Sequence, residues 1–268
     1  MVDPSRAGDN SGFAPRPVFL YAPHVPDPIS IIVPVFDEED NVQPLADEVV
    51  RAFDGVNCDW ELVFVDDCSL DSTWDKIEAA GKANNRVRGF RLEKNSGQSA
   101  AVWTGIQGTD RALIATLDGD RQNDPADLPN LLKELESCDF ACGWRHNRRD
   151  SFVRKMSSGL ARWFRCRALK SDFKDTGCAV RLFKRECVGV LFGFNGLHRF
   201  MPILVEGAGF KCREVPVNHR PRVAGVSKYG VWNRLGRGIY DLIAISWYQK
   251  RRVNPVKFVE SGKTDRPA

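Results

Sequence analysis

Asp118-Gly119-Asp120-Arg121-Gln122 closes an apolar run, Ala112 to Leu117, with two carboxylates and an amide. The run has the length and composition of a buried strand. Asp118 should therefore sit at the strand's carboxyl end and Asp120 just beyond, on a loop that Gly119 lets turn tightly. Asp118, Asp120 and Gln122 alternate along what reads as an extended segment, so three hard oxygen donors face one point. That set suits an octahedral Mg2+ or Mn2+ that also takes oxygens from a diphosphate. Taken alone, an Asp-x-Asp before a helix is better described as a solvated acidic turn, and the elements around it must decide.

Those elements repeat. Ile29 to Val35 is a β-branched run followed by an acidic turn, Asp37 to Asp40, and by a stretch with Val42, Leu45, Val49 and Phe53 on one helical face. Trp60 to Val65 ends in Asp66-Asp67 and leads through Ser69 to Asp71 into a helix with Trp74, Ile77 and Ala80 on one side. Val87 to Leu92 ends in Asn95-Ser96-Gly97 before a helix carrying Ala101, Val102 and Ile106 and closed by Gly108. Ala112 to Leu117 is the fourth strand, and the helix from Pro125 presents Leu128, Leu131, Leu132 and Leu135. Strands alternating with helices predict an α/β fold with a mostly parallel central sheet, helices on both faces, and functional loops at the strands' carboxyl ends. Asp66, Asp67, Asp118 and Asp120 then share one rim.

Composition bounds the rest. The 268 residues are 43% hydrophobic and 28% charged, ordinary for a soluble globular chain, and the net charge of +4 is too small to call for a nucleic-acid partner. The sequence shows no signal peptide and no run approaching a membrane span, the nearest, Ile239 to Trp247, being interrupted by Asp241. Eight cysteines without a C-x2-C pair point to reduced thiols in a cytoplasmic protein, and the surroundings of Cys138 and Cys142 read as strand, not as a zinc site. The expected organisation is a disordered or extended leader over 1–28, a catalytic domain over 29–230 that includes a basic amphipathic helix at 151–170, a second amphipathic helix at 231–250, and a polar tail over 251–268.

In order and spacing, Pro34-Val35-Phe36-Asp37-Glu38, Val65-Asp66-Asp67-Cys68-Ser69, Asn95-Ser96-Gly97 and Asp118-Gly119-Asp120-x-Gln122-Asn123-Asp124-Pro125 resemble the family 2 glycosyltransferases with the GT-A fold. Gly143-Trp144-Arg145, Arg154-Lys155-x-x-Ser158, Asp175-Thr176-Gly177-Cys178-x-x-Arg181 and Arg222-x-x-Gly225-x-Ser227-Lys228 are similar to the second half of the dolichol-phosphate mannosyltransferase and bacterial polyprenyl-phosphate glycosyltransferase group. The resemblance implies that Pro34, Phe36, Glu38, Asp66, Asp67, Asn95 and Gln98 contact a GDP- or UDP-linked sugar. It gives Asp118, Asp120 and Gln122 to Mg2+ or Mn2+, with Asp118 and Asp120 catalytic. Asp175 takes a polar or base role by the same analogy, with the capping of a turn before Gly177 as its equal alternative. The chain departs from the group at Arg121, where Leu is usual; strand alternation would turn that cation away from the acids.

From Arg145 to Lys170 there are nine Lys or Arg against one acid, Asp150, while Phe152, Val153, Met156, Leu160, Trp163 and Phe164 share a helical face. A basic helix with aromatic anchors reads as one lying on an anionic membrane surface. The stretch Leu235 to Trp247 is a second candidate, for which packing on the main domain is an equal alternative. With a polyprenyl phosphate as acceptor, Arg145, Arg154, Ser158, Arg222 and Lys228 would hold its phosphate. The expected enzyme is an inverting transferase associated peripherally with the cytosolic membrane face. The competing readings are the same fold acting on a polysaccharide, protein or small glycoside, and a non-enzymatic module that binds anionic surfaces. A nicotinamide enzyme is disfavoured, because Pro34 and acids follow the first strand where a G-x-G-x-x-G turn would be needed.

Overall fold

The computed structural model describes residues 27–146, 171–221 and 231–253, together with Arg167 and Leu169. The leader before residue 27, nearly all of the basic stretch 151–170 and the tail after 253 lie outside the described residues. The apolar runs form the strands they predict. β1 (Ile29–Val35), β2 (Trp60–Asp66), β3 (Val87–Arg91) and β4 (Leu113–Thr116) are mutually parallel wherever they pair. They alternate with α1 (Val42–Ala52), α2 (Thr73–Ala83) and α3 (Gln98–Gln107). A 3-10 turn at Pro125–Asp127 leads into α4 (Leu128–Glu134), then β5 (Phe140–Arg145), β6 (Arg181–Lys184), α5 (Leu197–Gly207), β7 (Cys212–Val217) and α6 (Val231–Arg251).

Among the described residues seven strands make one sheet in the order β3-β2-β1-β4-β6-β5-β7. β6 runs antiparallel to both of its neighbours, β4 and β5, while β5 and β7 are parallel. The sheet is thus mostly parallel with one reversed strand inserted beside β4, a detail the strand–helix alternation of the first half does not encode.

Two cores follow from strand alternation, since successive side chains point to opposite faces. On one face Ile31, Val33, Leu62 and Phe64 meet Leu45 and Val49 of α1, Ile77 of α2 and Leu131 of α4. On the other, Ile32, Val63, Ile114 and Phe183 meet Val102 and Ile106 of α3, Met201 and Leu204 of α5, and Ile245 of α6. Helices cover both faces, so the carboxyl ends of β1, β2 and β4 are left as the open rim. At that rim three residues other than glycine take left-handed backbone, each just past a strand: Asp37 (φ 49°), Cys68 (φ 62°) and Arg121 (φ 56°). Such conformations persist only where surrounding contacts hold them.

α3 lies close against the sheet because Gly105 has no side chain. A Cβ there would sit 2.4 Å from Ile32 Cγ2 and 3.1 Å from Val65 Cγ2. Gly105→Ala should therefore destabilise the protein by about 1–3 kcal/mol despite alanine's better helix propensity. Urea unfolding of the two proteins measures this; equal midpoints would show that α3 stands further from the sheet.

Candidate active site

Asp118 and Asp120 come together through a turn, not through an extended segment. Gly119 packs against the end of β1 so tightly that a Cβ would lie 2.7 Å from Val35 Cγ1 and 3.0 Å from the Pro34 carbonyl oxygen. Arg121 then takes its left-handed conformation, and the backbone N–H of Gln122 turns back to donate to Asp120 Oδ1 at 3.2 Å. The expected alternation of Asp118, Asp120 and Gln122 along a strand is thereby corrected, because β4 ends at Thr116 and glycine at 119 permits the reversal.

The loop is strapped from two sides. Arg121 leaves the acids and pairs with Glu48 of α1, Nη2 to Oε1 at 2.6 Å. Arg220, just past β7, holds Glu48 Oε2 at 2.8 Å and Asp124 at 2.6 Å, and its backbone N–H donates to the Gln122 carbonyl at 2.9 Å. Asn218 adds hydrogen bonds to both oxygens of Asp127, at 2.8 and 3.1 Å. One glutamate on α1 thus fixes two arginines that together frame the acidic turn. Sequence reading missed Glu48 and Arg220, because no local spacing connects a helix in the first quarter of the chain to a segment beyond residue 217.

The electrostatics around Asp118 are unbalanced. Burial pushes its carboxyl up to about 6, the Asp120 charge adds to the rise, and Arg181, Arg145 and a hydrogen bond from Gln98 Nε2 at 2.7 Å offset only part of it. Arg181, on β6, is buried, with Nη2 donating to the Thr176 carbonyl at 3.1 Å. In the sequence it closes the Asp175-Thr176-Gly177-Cys178-x-x-Arg181 motif, which by itself assigned it no role. Arg145 gives Nε and Nη2 to the two oxygens of Asp175, at 2.7 and 2.9 Å. Asp175 also accepts from the backbone of Gly177 and Arg145, at 3.1 and 3.4 Å, so each of its oxygens already takes two donors. This geometry suits a residue that orients Arg145 and does not suit a free base. Equally, the paired edge of Arg145 expected to clamp a phosphate is occupied by Asp175.

Beside Gln98, Ser99 joins the first turns of two helices. Its hydroxyl oxygen accepts from the Gly196 N–H at 2.9 Å and lies 2.7 Å from His198 Nδ1 on α5. Burial, with Arg199 and Arg181 nearby, pushes His198 down to about 3. The imidazole is therefore neutral at physiological pH and can accept the Ser99 proton at Nδ1.

The acids expected to touch a nucleotide mainly tie loops. Asp66 is buried, accepts from both the N–H and the hydroxyl of Ser69, and pairs with Arg91 at 3.3 Å. Asp67 accepts from the N–H groups of Ser96 and Gly97, both at 2.7 Å, fixing the entry to α3. Asp37, Glu39 and Asp71 lace the loop after β1 to the loop after β2. Pro34, Phe36 and Glu38 are half-buried on the same rim, with Glu38 accepting from Asn41 Nδ2 at 2.6 Å, and Asn95 is exposed. Arg154, Ser158, Arg222 and Lys228 lie outside the described residues.

The residues present fit a divalent cation. Two carboxylates and an amide supply hard oxygens, and Asp118, raised first by burial and then by the Asp120 charge, is a carboxyl whose charged form a nearby cation would favour. Among the described residues no cluster of three His, Cys, Asp or Glu forms a metal cage.

The family model for Glycosyl transferase family 2 matches residues 30–186. A dodecaprenyl-phosphate galacturonate synthase of Rhizobium johnstonii is 36% identical over 239 residues, covering 87% of this chain and 70% of that protein. An undecaprenyl-phosphate 4-deoxy-4-formamido-L-arabinose transferase of Shewanella sediminis is 34% identical over 219 residues, covering 81% of this chain and 66% of the relative. The chain thus spans about two thirds of the length of these relatives. Among solved structures, glucosyl-3-phosphoglycerate synthase of Mycobacterium tuberculosis, in complex with Mn2+ and UDP-glucose, superposes with a TM-score of 0.62 at 17% identity, covering 83% of this chain and 79% of that one. The same enzyme in complex with Mg2+ and UDP gives 0.61. These structures share the GT-A fold with this chain.

The raised carboxyl has a consequence for stability. An acid whose folded value exceeds its ordinary one, about 6 against 3.8, binds protons more tightly in the folded state. Its contribution is then lost as pH climbs through that window and stays lost above it. Metal-free Asp118→Asn should accordingly melt higher than metal-free wild type at pH 7.5, with the gap closing below about pH 4. Thermal melts in chelator at both pH values check this; a lower melting temperature for the variant at pH 7.5 would contradict it.

Proposed function

The chain belongs to glycosyl transferase family 2, and from that membership we propose that it moves a sugar from a nucleoside-diphosphate donor to a polyprenyl phosphate, inverting the anomeric centre, at the cytosolic face of a membrane. The observation that carries the chemistry is the acid pair Asp118 and Asp120, brought together by the turn at Gly119, with the Asp118 carboxyl raised to about 6 by burial and by its neighbour's charge. Both relatives named above are polyprenyl-phosphate enzymes, which supports the choice of acceptor.

In this scheme Asp118, Asp120 and Gln122 hold Mg2+ or Mn2+, which when bound neutralises the departing diphosphate as a Lewis acid. A phosphate oxygen of the acceptor attacks the anomeric carbon from the face opposite the donor diphosphate. The carbon–oxygen bond to the diphosphate breaks, and its electron pair leaves with the nucleotide. A phosphate monoester is largely ionised at neutral pH, so no strong base is required, consistent with an Asp175 whose oxygens are already taken. Asp175 positions Arg145, whose charge stands near Asp118; in this scheme Arg145 serves the acceptor phosphate. Gln98 orients Asp118, and Asp67 fixes the entry to α3 on which Gln98 sits. Pro34, Phe36, Glu38 and Asn95 line the donor side, with Asp66 acting through the loop it ties.

Among the described residues no helix is long and apolar enough to cross a membrane. α6 instead offers a surface contact: Ile245 is buried against α5, while Tyr240, Ile243 and Trp247 are 76%, 64% and 64% exposed, with Lys250 and Arg251 at the helix end. Aromatic side chains beside basic ones suit an anionic lipid interface.

The deciding assay offers UDP- and GDP-sugars with polyprenyl phosphate, or with soluble glycosides and phosphorylated small molecules, in Mn2+ or Mg2+, and follows products by mass. The expected outcome is a lipid-linked sugar that disappears with chelator and in Asp120→Ala. Arg145→Ala should lose about 2 kcal/mol of transition-state stabilisation with donor affinity held within a few-fold. Transfer only to water-soluble acceptors would replace the lipid assignment, and wild-type turnover in chelator would remove the metal.

A further inference from the structure

Two helices of the rim meet through one hydroxyl. Ser99 is buried in the first turn of α3, directly after Gln98, whose Nε2 holds Asp118 Oδ1 at 2.7 Å. Gly196, in the left-handed region at φ 112° just before α5, turns its N–H onto the Ser99 oxygen at 2.9 Å. His198, in the first turn of α5, brings Nδ1 to 2.7 Å from the same oxygen. The direction of each proton follows from what its atoms can do. The Gly196 N–H only donates, so it takes a lone pair of Ser99 Oγ. The hydroxyl hydrogen then needs an acceptor, and among the described residues Nδ1 is the one that it has. Nδ1 therefore carries no hydrogen.

The ring is uncharged at neutral pH, pushed down to about 3 by burial and then by Arg199 and Arg181, so its one hydrogen sits on Nε2. That N–H lies across the ring from Ser99 and has no hydrogen-bond partner among the described residues. His198 is half-buried and its Nε2 is not sealed from solvent, so the donor is open to an incoming group. The charges that bear on the ring, Arg199 and Arg181, are cations. Arg181 is buried and acts on Asp118 as well as on His198, and its Nε has no hydrogen-bond partner among the described residues. Buried donors left unpaired are costly, so this side of the site is short of acceptors. A phosphoryl oxygen supplies them. A metal ion at Nε2 does not fit, because a ligating histidine gives the hydrogen of its other nitrogen to an acceptor, whereas Nδ1 here receives one.

We propose that His198 is a further catalytic residue, which gives its Nε2–H to a phosphoryl oxygen at the Asp118 site while Ser99 fixes its tautomer and orientation. This rests on the phosphate-bearing reactants of the function proposed above. The donor diphosphate and the acceptor phosphate share that chemistry. On the first, the hydrogen bond stabilises charge as the nucleotide leaves; on the second, it orients the attacking oxygen.

Two substitutions in the full-length protein separate the outward donor from the latch to Ser99. His198→Gln keeps an N–H where Nε2 stands and loses the acceptor for Ser99; His198→Asn keeps an acceptor where Nδ1 stands and loses the outward donor. Each is measured for UDP affinity in Mg2+ by calorimetry, and for kcat and KM toward polyprenyl phosphate. His198→Asn should lose about tenfold or more in kcat/KM, and His198→Gln should recover part of it. A fall in UDP affinity, or in kcat alone, assigns the oxygen to the leaving diphosphate. A higher KM for polyprenyl phosphate with UDP affinity unchanged assigns it to the acceptor. Nitrogen NMR of the four histidines, with His198 assigned by its absence from either variant, should show the Nε2–H tautomer at neutral pH. An Nδ1–H tautomer, or a His198→Asn protein as active as wild type, would overturn the inference. So would a ranking with His198→Gln below His198→Asn, which would return the pair to a structural latch. Wild type that neither binds UDP or GDP nor forms lipid-linked product would instead remove the function proposed above, and this inference with it.

Discussion

Two carboxylates, Asp118 and Asp120, are forced into one small volume at the end of β4, and much of the rim is built to keep them there. Burial, and after it the neighbouring Asp120 charge, opposes ionisation of Asp118, which is why its carboxyl rises to about 6. Gly119 lets the turn press against β1, while Arg181, Arg145 and the hydrogen bond from Gln98 favour the charged form of Asp118 and offset part of that cost. A divalent cation would offset it further.

Other acids at the rim serve the same end indirectly. Asp66, Asp67, Asp37 and Asp71 accept from backbone N–H groups and hydroxyls in the adjoining loops, converting three chain reversals into one hydrogen-bonded ledge. Glu48 does the corresponding work at longer range, pairing with Arg121 and Arg220 and so tying α1 to the acidic turn and to the segment after β7. Loops carry the chemistry, but the rigidity comes from these ties and from the sheet below them.

Much of this was legible in the sequence. The first four strands and their helices follow from β-branched runs and 3.6-residue spacing, and the ordered motifs from Pro34 to Pro125 led to the family the comparisons bear out. What sequence could not supply is partnership across the fold. Asp66 and Asp67 look like ligand contacts because they end a strand, yet their oxygens face Ser69, Ser96 and Gly97. Arg145 looks like a free clamp until Asp175, thirty residues on, is found along its guanidinium edge. Arg181 closes a motif that gives it no task until β6 is seen inserted, reversed, between β4 and β5. Spacing places residues on a face; which of two neighbours a carboxylate serves is decided by tertiary contact.

The central claim is that Asp118 and Asp120 form a cation site completed by a nucleoside diphosphate. Its most direct test is calorimetric titration of Mn2+ into the protein with and without UDP, for wild type and for Asp118→Asn/Asp120→Asn. Wild type should bind Mn2+ weakly alone and at least tenfold more tightly with the diphosphate, and the double variant should lose that coupling while keeping a cooperative thermal transition. Coupled Mn2+ binding of equal strength in the double variant would place the cation elsewhere and contradict the account.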